Sequence, residues 1–220
     1  MYRFATTLLL CAAAWAQPVA ALSSVEAKDA RRSHELKIPE IIEAMALAPG
    51  GSVADIGAGD GLYEVFLSKA AGAQGHVYAE DIDENGAIKR LRERVHDQHL
   101  DNVEVILGAA DDPKLPVNAL DSVLMVIMYH EIENHQAMLE HVKAALKPGG
   151  RLVIVDMMPH KTITRPRADQ TKNHVIAASL VESEVRDAGF GVVFRDDHFI
   201  DNPDEESTRW MIVFRKPARP

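Results

Sequence analysis

The 220-residue chain has one cysteine, Cys11, and it lies in an N-terminal segment with the character of a removable leader. Without that leader no thiol remains. Disulfides, thiolate nucleophiles and Cys-based zinc sites are then excluded, and stability has to come from core packing. Basic charge is scarce as well: 24 Lys and Arg stand against 33 Asp and Glu, for a formal charge of −9. A net acidic surface repels phosphate backbones, so no nucleic-acid partner is expected. The densest basic stretch, Lys89 to Arg94, is broken by Glu93 and by apolar residues and reads as one face of a helix. Past the N-terminus no apolar run is long enough to cross a bilayer, and internal repeats and low-complexity linkers are lacking.

What is present suits one globular domain, with 47% hydrophobic and 26% charged residues. Arg3 is followed by an apolar run, Phe4 to Ala16, and then by small residues that allow cleavage after Ala16 or Ala21. This is the layout of a secretory signal peptide, taken as residues 1–21. The protein is therefore expected to be exported, to the periplasm, with no stable membrane span after cleavage. An uncleaved N-terminal helix is the alternative. Leu8-Leu9-Leu10-Cys11 is only a poor lipobox, because a bulky Leu precedes the cysteine. Residues 22–35 are polar and read as a connecting arm, and residues 36–220 as the domain.

Pro39 opens a helix, PEIIEAMAL, where a missing N–H is harmless, and Pro49-Gly50-Gly51 ends it. Short apolar runs then alternate with longer amphipathic ones. Strands are expected at Ser52–Ile56, His76–Asp81, Val103–Leu107, Ser122–Met128 and Arg151–Asp156. Helices are expected near Leu62–Ala71, Glu84–Gln98 and His135–Leu146. The rhythm predicts an α/β, doubly wound, mostly parallel sheet with helices on both faces. VLMVI and LVIV are apolar on both parities, as strands covered on two sides should be. A helix over Lys172–Ala188 precedes two β-rich runs, Gly191–Phe199 and Thr208–Arg215. The polar link between those runs is too short for a crossover, so they should pair antiparallel.

The strongest motif is VADIGAGDG, residues 53–61, a buried strand that turns through glycines into a helix. Such a turn lets backbone approach a ligand closely, and the helix start offers free N–H groups. The second strand ends in Glu80-Asp81, where an acid can accept from ribose hydroxyls. A dinucleotide fingerprint would need its third glycine at position 62, which is Leu62.

These residues resemble the class I, Rossmann-like S-adenosylmethionine-dependent methyltransferases. VADIGAGDG is similar to their first motif, and VYAEDID to their second-strand motif. NVEVILGAADDPKLPVNALDSVLMVIMYHEI is similar to their third and fourth strands, and LKPGGRLVIVD to the fifth. The resemblance covers roughly residues 36–215. It implies seven strands in the order 3-2-1-4-5-7-6 with strand 7 antiparallel, and S-adenosylmethionine as cofactor. It further implies that Gly57, Ala58, Gly59 and Gly61 pass beside the cofactor's aminocarboxypropyl arm, with Asp55 shaping that pocket. Asp81 would hold the ribose, Ile82 would lie against the adenine, and Ala110 and Asp111 would run along its edge. Two positions depart from the pattern. Ala109 stands where an adenine-binding acid is frequent, and Ile127 where strand four is often polar. Asp111 and Asp112 are candidates to compensate for the first.

Methyl transfer is an in-line displacement in which the protein mainly positions the reactants. A base is needed only if the acceptor must lose a proton. Tyr129-His130-Glu131, after strand four, supplies the catalytic candidates: His130 as base, Tyr129 as pocket wall, Glu131 as an orienter or partner for a cation. Packing of the cofactor is the plainer role for the same residues. His130 and His135 do not make an HExxH zinc helix, since five helical steps leave them about 140° apart, and no metal ligand set follows from the sequence. His160, Arg165, Arg167 and His174 either recognise an anionic substrate or are solvated loop charges. Asp156 either faces the crevice or caps the next turn. The expected activity is methyl transfer to a small-molecule acceptor. The alternative, suggested by Ala109 and Ile127, is an exported binding protein that keeps the fold without catalysis.

Overall fold

The computed structural model describes residues 23–159, 163–202 and 207–218, so the leader (residues 1–21) and His160 lie outside the described residues. Seven strands form one sheet: β1 (Ser52–Ile56), β2 (His76–Asp81), β3 (Val103–Leu107), β4 (Leu120–Val126), β5 (Leu146–Met157), β6 (Gly191–Asn202) and β7 (Ser207–Arg215). Their spatial order is β3-β2-β1-β4-β5-β7-β6. β1 to β5 pair parallel, while β7 runs antiparallel to both β5 and β6. The expected fold class is therefore the one observed.

Helices α1 (Ser24–Glu35) and α2 (Ile38–Met45) precede the sheet. α3 (Leu62–Ala71), α4 (Ala87–Asp97) and α5 (His135–Ala145) join its parallel strands, and α6 (Arg167–Thr171) and α7 (Ala178–Asp187) lie between β5 and β6. Alternate residues of each central strand divide between two buried layers. Ala54, Val123, Met125, Leu152 and Ile154 pack with α5 and α7. Val53, Leu124, Val153 and Val155 pack with Ile41 and Met45 of α2 and Leu67 of α3. Burial on both sides explains why these strands are apolar at every position.

Four local expectations change. The arm at 22–35 is helical, because Ser23 caps α1: its Oγ accepts from Glu26 N–H at 3.2 Å while the Glu26 carboxylate accepts from Ser23 N–H at 2.7 Å. The helix expected over Glu84–Gln98 starts only at Ala87, since the Asp83 carboxylate holds the N–H groups of Gly86 and Ala87 in a turn, each at 3.0 Å. β4 stops at Val126 instead of Met128, because Ile127 takes a left-handed φ of 51° and leaves the sheet. The helix expected over Lys172–Ala188 begins only at Ala178; the short helix α6 ends before that range, at Thr171, and His174 between the two has a φ of 55°. Buried Gln170 fastens that break, accepting from Ala177 N–H at 2.7 Å and donating to Arg165 O at 2.7 Å.

The same connection is tied to the core by Trp210, fully buried on β7, whose indole N–H donates to Ile176 O at 2.8 Å. Trp210→Phe is expected to lower unfolding stability by about 1–3 kcal/mol, since it strands a buried carbonyl. Urea denaturation measures this, and an unchanged midpoint would contradict it.

Candidate functional site

β1 ends in a turn that lies over β2. The N–H groups of Gly57 and Ala58 both donate to Glu80 O, at 2.9 and 2.8 Å. Gly57 has a φ of 79°, and a Cβ there would meet Met128 at 3.0 Å. Any side chain would therefore be strained and would crowd the space that the turn borders. Two cavities open on either side of this glycine, at the C-terminal ends of the strands, where open α/β sheets bind ligands.

The first cavity is about 500 Å³ and is lined by Asp81, Ile82, Ala109, Ala110, Asp111 and Glu131, among others. Asp81 is fixed at its rim: one carboxylate oxygen accepts from Gly59 N–H at 3.1 Å and the other from Asp83 N–H at 3.0 Å. Ile82 is 58% exposed, an apolar surface with nothing packed over it. The second cavity, about 230 Å³, is lined by Asp55, Ala58, Gly59, Ile127, Arg32 and Arg209, among others. Gly61, at the N-terminus of α3, closes the turn behind it with a φ of 79°.

Three acids are buried beneath the turn. Burial, together with Glu64, Glu80 and Asp81, holds the Asp55 carboxyl well above the usual range. Burial pushes Glu64 up to about 7, and burial with the nearby Asp81 pushes Glu80 up to about 8. Among the described residues, both Glu64 oxygens and Glu80 Oε1 have no hydrogen-bond partner. Glu80 occupies the space beside Gly108, where a Cβ would strike its carboxyl.

The 3₁₀ turn Tyr129–Glu131 follows β4. His130 is buried and locked: Nδ1 lies 2.8 Å from Asp156 Oδ1, while its backbone N–H donates to Asp156 Oδ2 at 3.1 Å. Asp156, fully buried at the end of β5, thus faces His130 and also accepts from Met157 N–H at 2.7 Å. The other ring nitrogen, Nε2, is 2.9 Å from Glu131 Oε1. Burial disfavours the imidazolium, yet Asp156 and Glu131 outweigh it and hold the His130 pKa above its ordinary value. Glu131 lines the first cavity, and with His130 it also borders a neighbouring hollow of about 570 Å³.

A methyltransferase-domain profile matches residues 53–150. Over 117 residues the chain is 31% identical to the demethylmenaquinone methyltransferase of Listeria welshimeri, an alignment covering 53% of this chain and 49% of that protein. The chain thus spans about half the length of the curated relatives it matches. The crystal structure of a SAM-dependent methyltransferase from Aquifex aeolicus superposes with a TM-score of 0.70 at 25% identity, covering 86% of this chain and 97% of the other. The chain thus has the Rossmann-like methyltransferase fold, and its segment 53–150 matches the methyltransferase-domain family. A phosphoethanolamine N-methyltransferase of Haemonchus contortus, in complex with S-adenosyl-L-methionine, shares the fold at 15% identity with a TM-score of 0.67, covering 84% of this chain and 52% of its own.

Tyr129 needs correcting as a catalytic candidate. Its ring is fully buried in the α5–α7 layer and its hydroxyl donates to Glu184 at 3.0 Å, so it packs the core and does not wall the acceptor pocket. Arg167 lies over that ring, 5.5 Å from its centroid, and donates to the carbonyls of Tyr129 and Ile132 at 3.2 and 2.9 Å. It is a structural clamp, not a free anion receptor. His174 has instead turned to Glu131. Asp112 does not border the crevice; its carboxylate accepts from Lys114 N–H at 2.8 Å and lies 3.6 Å from His141. Only Asp111 remains to offset Ala109 from that pair.

The sequence reading missed Arg32 and Arg209. Arg32 reaches the turn from α1, 3.5 Å from Asp60, and the helix is held there by Arg94, which pairs with buried Asp29 at 2.8 Å. Arg209 arrives from β7, more than 140 residues after the glycine motif. The polar arm carried one local signal, the Ser23–Glu26 capping box; nothing in the local sequence marks Arg209.

Proposed function

We propose that this chain is a methyltransferase that transfers a methyl group from S-adenosylmethionine to a small-molecule acceptor seated at the Glu131 end of the crevice. The observation that carries the reading is the pair of cavities meeting at Gly57, acidic and apolar on one side, lined by both arginines and aspartates on the other. The residues present fit the cofactor. Arg32 and Arg209 suit its carboxylate, and Asp55, a buried acid lining the same cavity, suits its amine. The backbone of Gly57, Ala58, Gly59 and Gly61 lies beside the arm joining the two ends. Asp81 is placed for the ribose hydroxyls, Ile82 for one face of the adenine, and Ala110 and Asp111 for its edge.

When bound, S-adenosylmethionine supplies the methyl group on a sulfonium with its own leaving group. This chain's residues orient the donor, keep water out and receive the acceptor between Glu131 and His130. Asp156 pairs with His130 Nδ1 and orients the ring, which directs Nε2 toward Glu131 and the acceptor end of the crevice. Demethylmenaquinone, as named for the Listeria relative, marks one kind of acceptor to include in the test.

The decisive experiment is donor turnover against a panel of oxygen, nitrogen, sulfur and carbon acceptors, reading S-adenosylhomocysteine, with calorimetric titration of the donor alongside. Donor binding and product are expected. No detectable donor binding by purified protein would leave only a non-catalytic binding role. Asp81→Ala is expected to weaken donor binding about 10- to 100-fold through loss of charge-assisted hydrogen bonds to the ribose; an unaltered affinity would displace Asp81 from the site. The leader-like residues 1–21 support export to the periplasm. Protein recovered only from cytoplasm, beginning at Met1 or Tyr2, would overturn that part.

A further inference from the structure

We propose that His130, Glu131 and His174 bind a divalent transition-metal ion at the acceptor end of the crevice. Their ligand atoms converge: His130 Nε2, Glu131 Oε1 and His174 Nδ1 all lie within 4.8 Å of one another. Glu131 Oε1 is 2.9 Å from the first nitrogen and 2.5 Å from the second. Ligands at about 2.1 Å around a tetrahedral ion stand about 3.4 Å apart, so these atoms need separate by less than one ångström to admit one. The two imidazoles meet edge to face, with centroids 5.7 Å apart and planes at 83°.

Two further features support a ligand set over a plain hydrogen-bond chain. The first is Asp156. Fully buried, it pairs with His130 Nδ1 and fixes the ring, so that Nε2 is directed at Glu131. A carboxylate behind an imidazole is the arrangement that orients metal-bound histidines. The second is the backbone of His174. Its left-handed φ of 55° costs on the order of 1 kcal/mol or more for a side chain with a Cβ. Parting α6 from α7 there carries its ring to a residue 43 positions away.

Two imidazoles and one carboxylate suit zinc, iron, cobalt, nickel or manganese better than calcium or magnesium, which prefer oxygen donors. Three protein ligands leave at least one position open, and both Glu131 and His130 border the adjoining hollow. This location rests on the methyltransferase reading: an ion there would grip the acceptor's oxygen or other donor atom and favour its deprotonated form. Binding of the ion itself does not depend on that reading.

The test uses purified protein stripped with a chelator and titrated with Co²⁺ and with Zn²⁺. One ion per chain is expected, with a visible d–d band for cobalt at tetrahedral or five-coordinate intensity. His174→Ala and Glu131→Gln, at side chains 74% and 57% exposed, should preserve the thermal transition and weaken the ion at least about 100-fold. Asp156→Asn should weaken it about 10- to 100-fold. Absence of stoichiometric binding, or binding undiminished in His174→Ala, would overturn the site. Donor calorimetry on the same stripped protein separates the two ideas. Donor binding without metal binding removes only the ion, and metal binding without donor binding upholds the ion and removes the methyltransferase reading.

Discussion

His130→Ala is expected to slow turnover about 100-fold or more while leaving the affinity for S-adenosylmethionine within about threefold. The asymmetry follows from where the ring sits. His130 borders the hollow next to Glu131 and does not line either cavity that meets at Gly57. Its loss should therefore spare the donor. What disappears is a nitrogen whose orientation is set twice over by Asp156, through the ring and through the backbone N–H. That nitrogen is the reacting atom whether it takes a proton from the acceptor or holds an ion that does the same work. Steady-state rates and donor titration on one protein preparation give both numbers. Equal losses in rate and donor affinity would mean that His130 only packs the site. His130→Gln guards against a folding defect, since it fills similar space and retains a partner for Asp156; it should melt like the parent and remain slow.

The sheet was legible because its physics is local. A strand covered on both faces must be apolar at successive positions, as VLMVI and LVIV are, and a backbone turn against a ligand needs glycine, as Gly57 shows with its φ of 79°. Asp81 could be located from spacing because parallel strands of similar length place their ends side by side, and Gly59 N–H does reach its carboxylate. Less could be read where a residue's role depends on which way it turns after a strand. Ile127 leaves β4 through a left-handed residue, which sends Tyr129 into the core and His130 toward Asp156. Nothing in Tyr129-His130-Glu131 says which neighbour goes which way. Long-range pairings were equally hidden. His174 meets Glu131 because the helix expected over Lys172–Ala188 starts only at Ala178 and leaves His174 in the connection before it, and Arg209 reaches the cavity because the last hairpin closes the sheet beside β5.

Glu80 makes the donor-free protein less stable in alkali than in mild acid. Burial raises its carboxyl from 4.5 to about 8, with Asp81 adding to the effect, so the folded state keeps a proton that the unfolded chain releases. Folded protein then binds more protons than unfolded protein between those values, and stability falls as pH rises through that window. At 1.36 kcal/mol per unit, moving from about pH 5.5 to about pH 8.5 should remove on the order of 3 kcal/mol. Glu64, pushed up to about 7 by burial, acts in the same direction. Glu80→Gln resembles the protonated acid in shape and charge and cannot ionise, so it should remove most of the slope while matching the parent near pH 5.5. Urea denaturation of both proteins across the range measures the difference; parallel profiles would show that Glu80 is ionised in the fold. The neutral state also matters for the site. With Glu80 uncharged beside Gly108, the Asp81 carboxylate accepts from Gly59 N–H without an anion opposing it from the adjacent residue of the strand. Ionisation above about pH 8 would set two carboxylates at the ends of one strand and weaken the hold of the turn on Asp81.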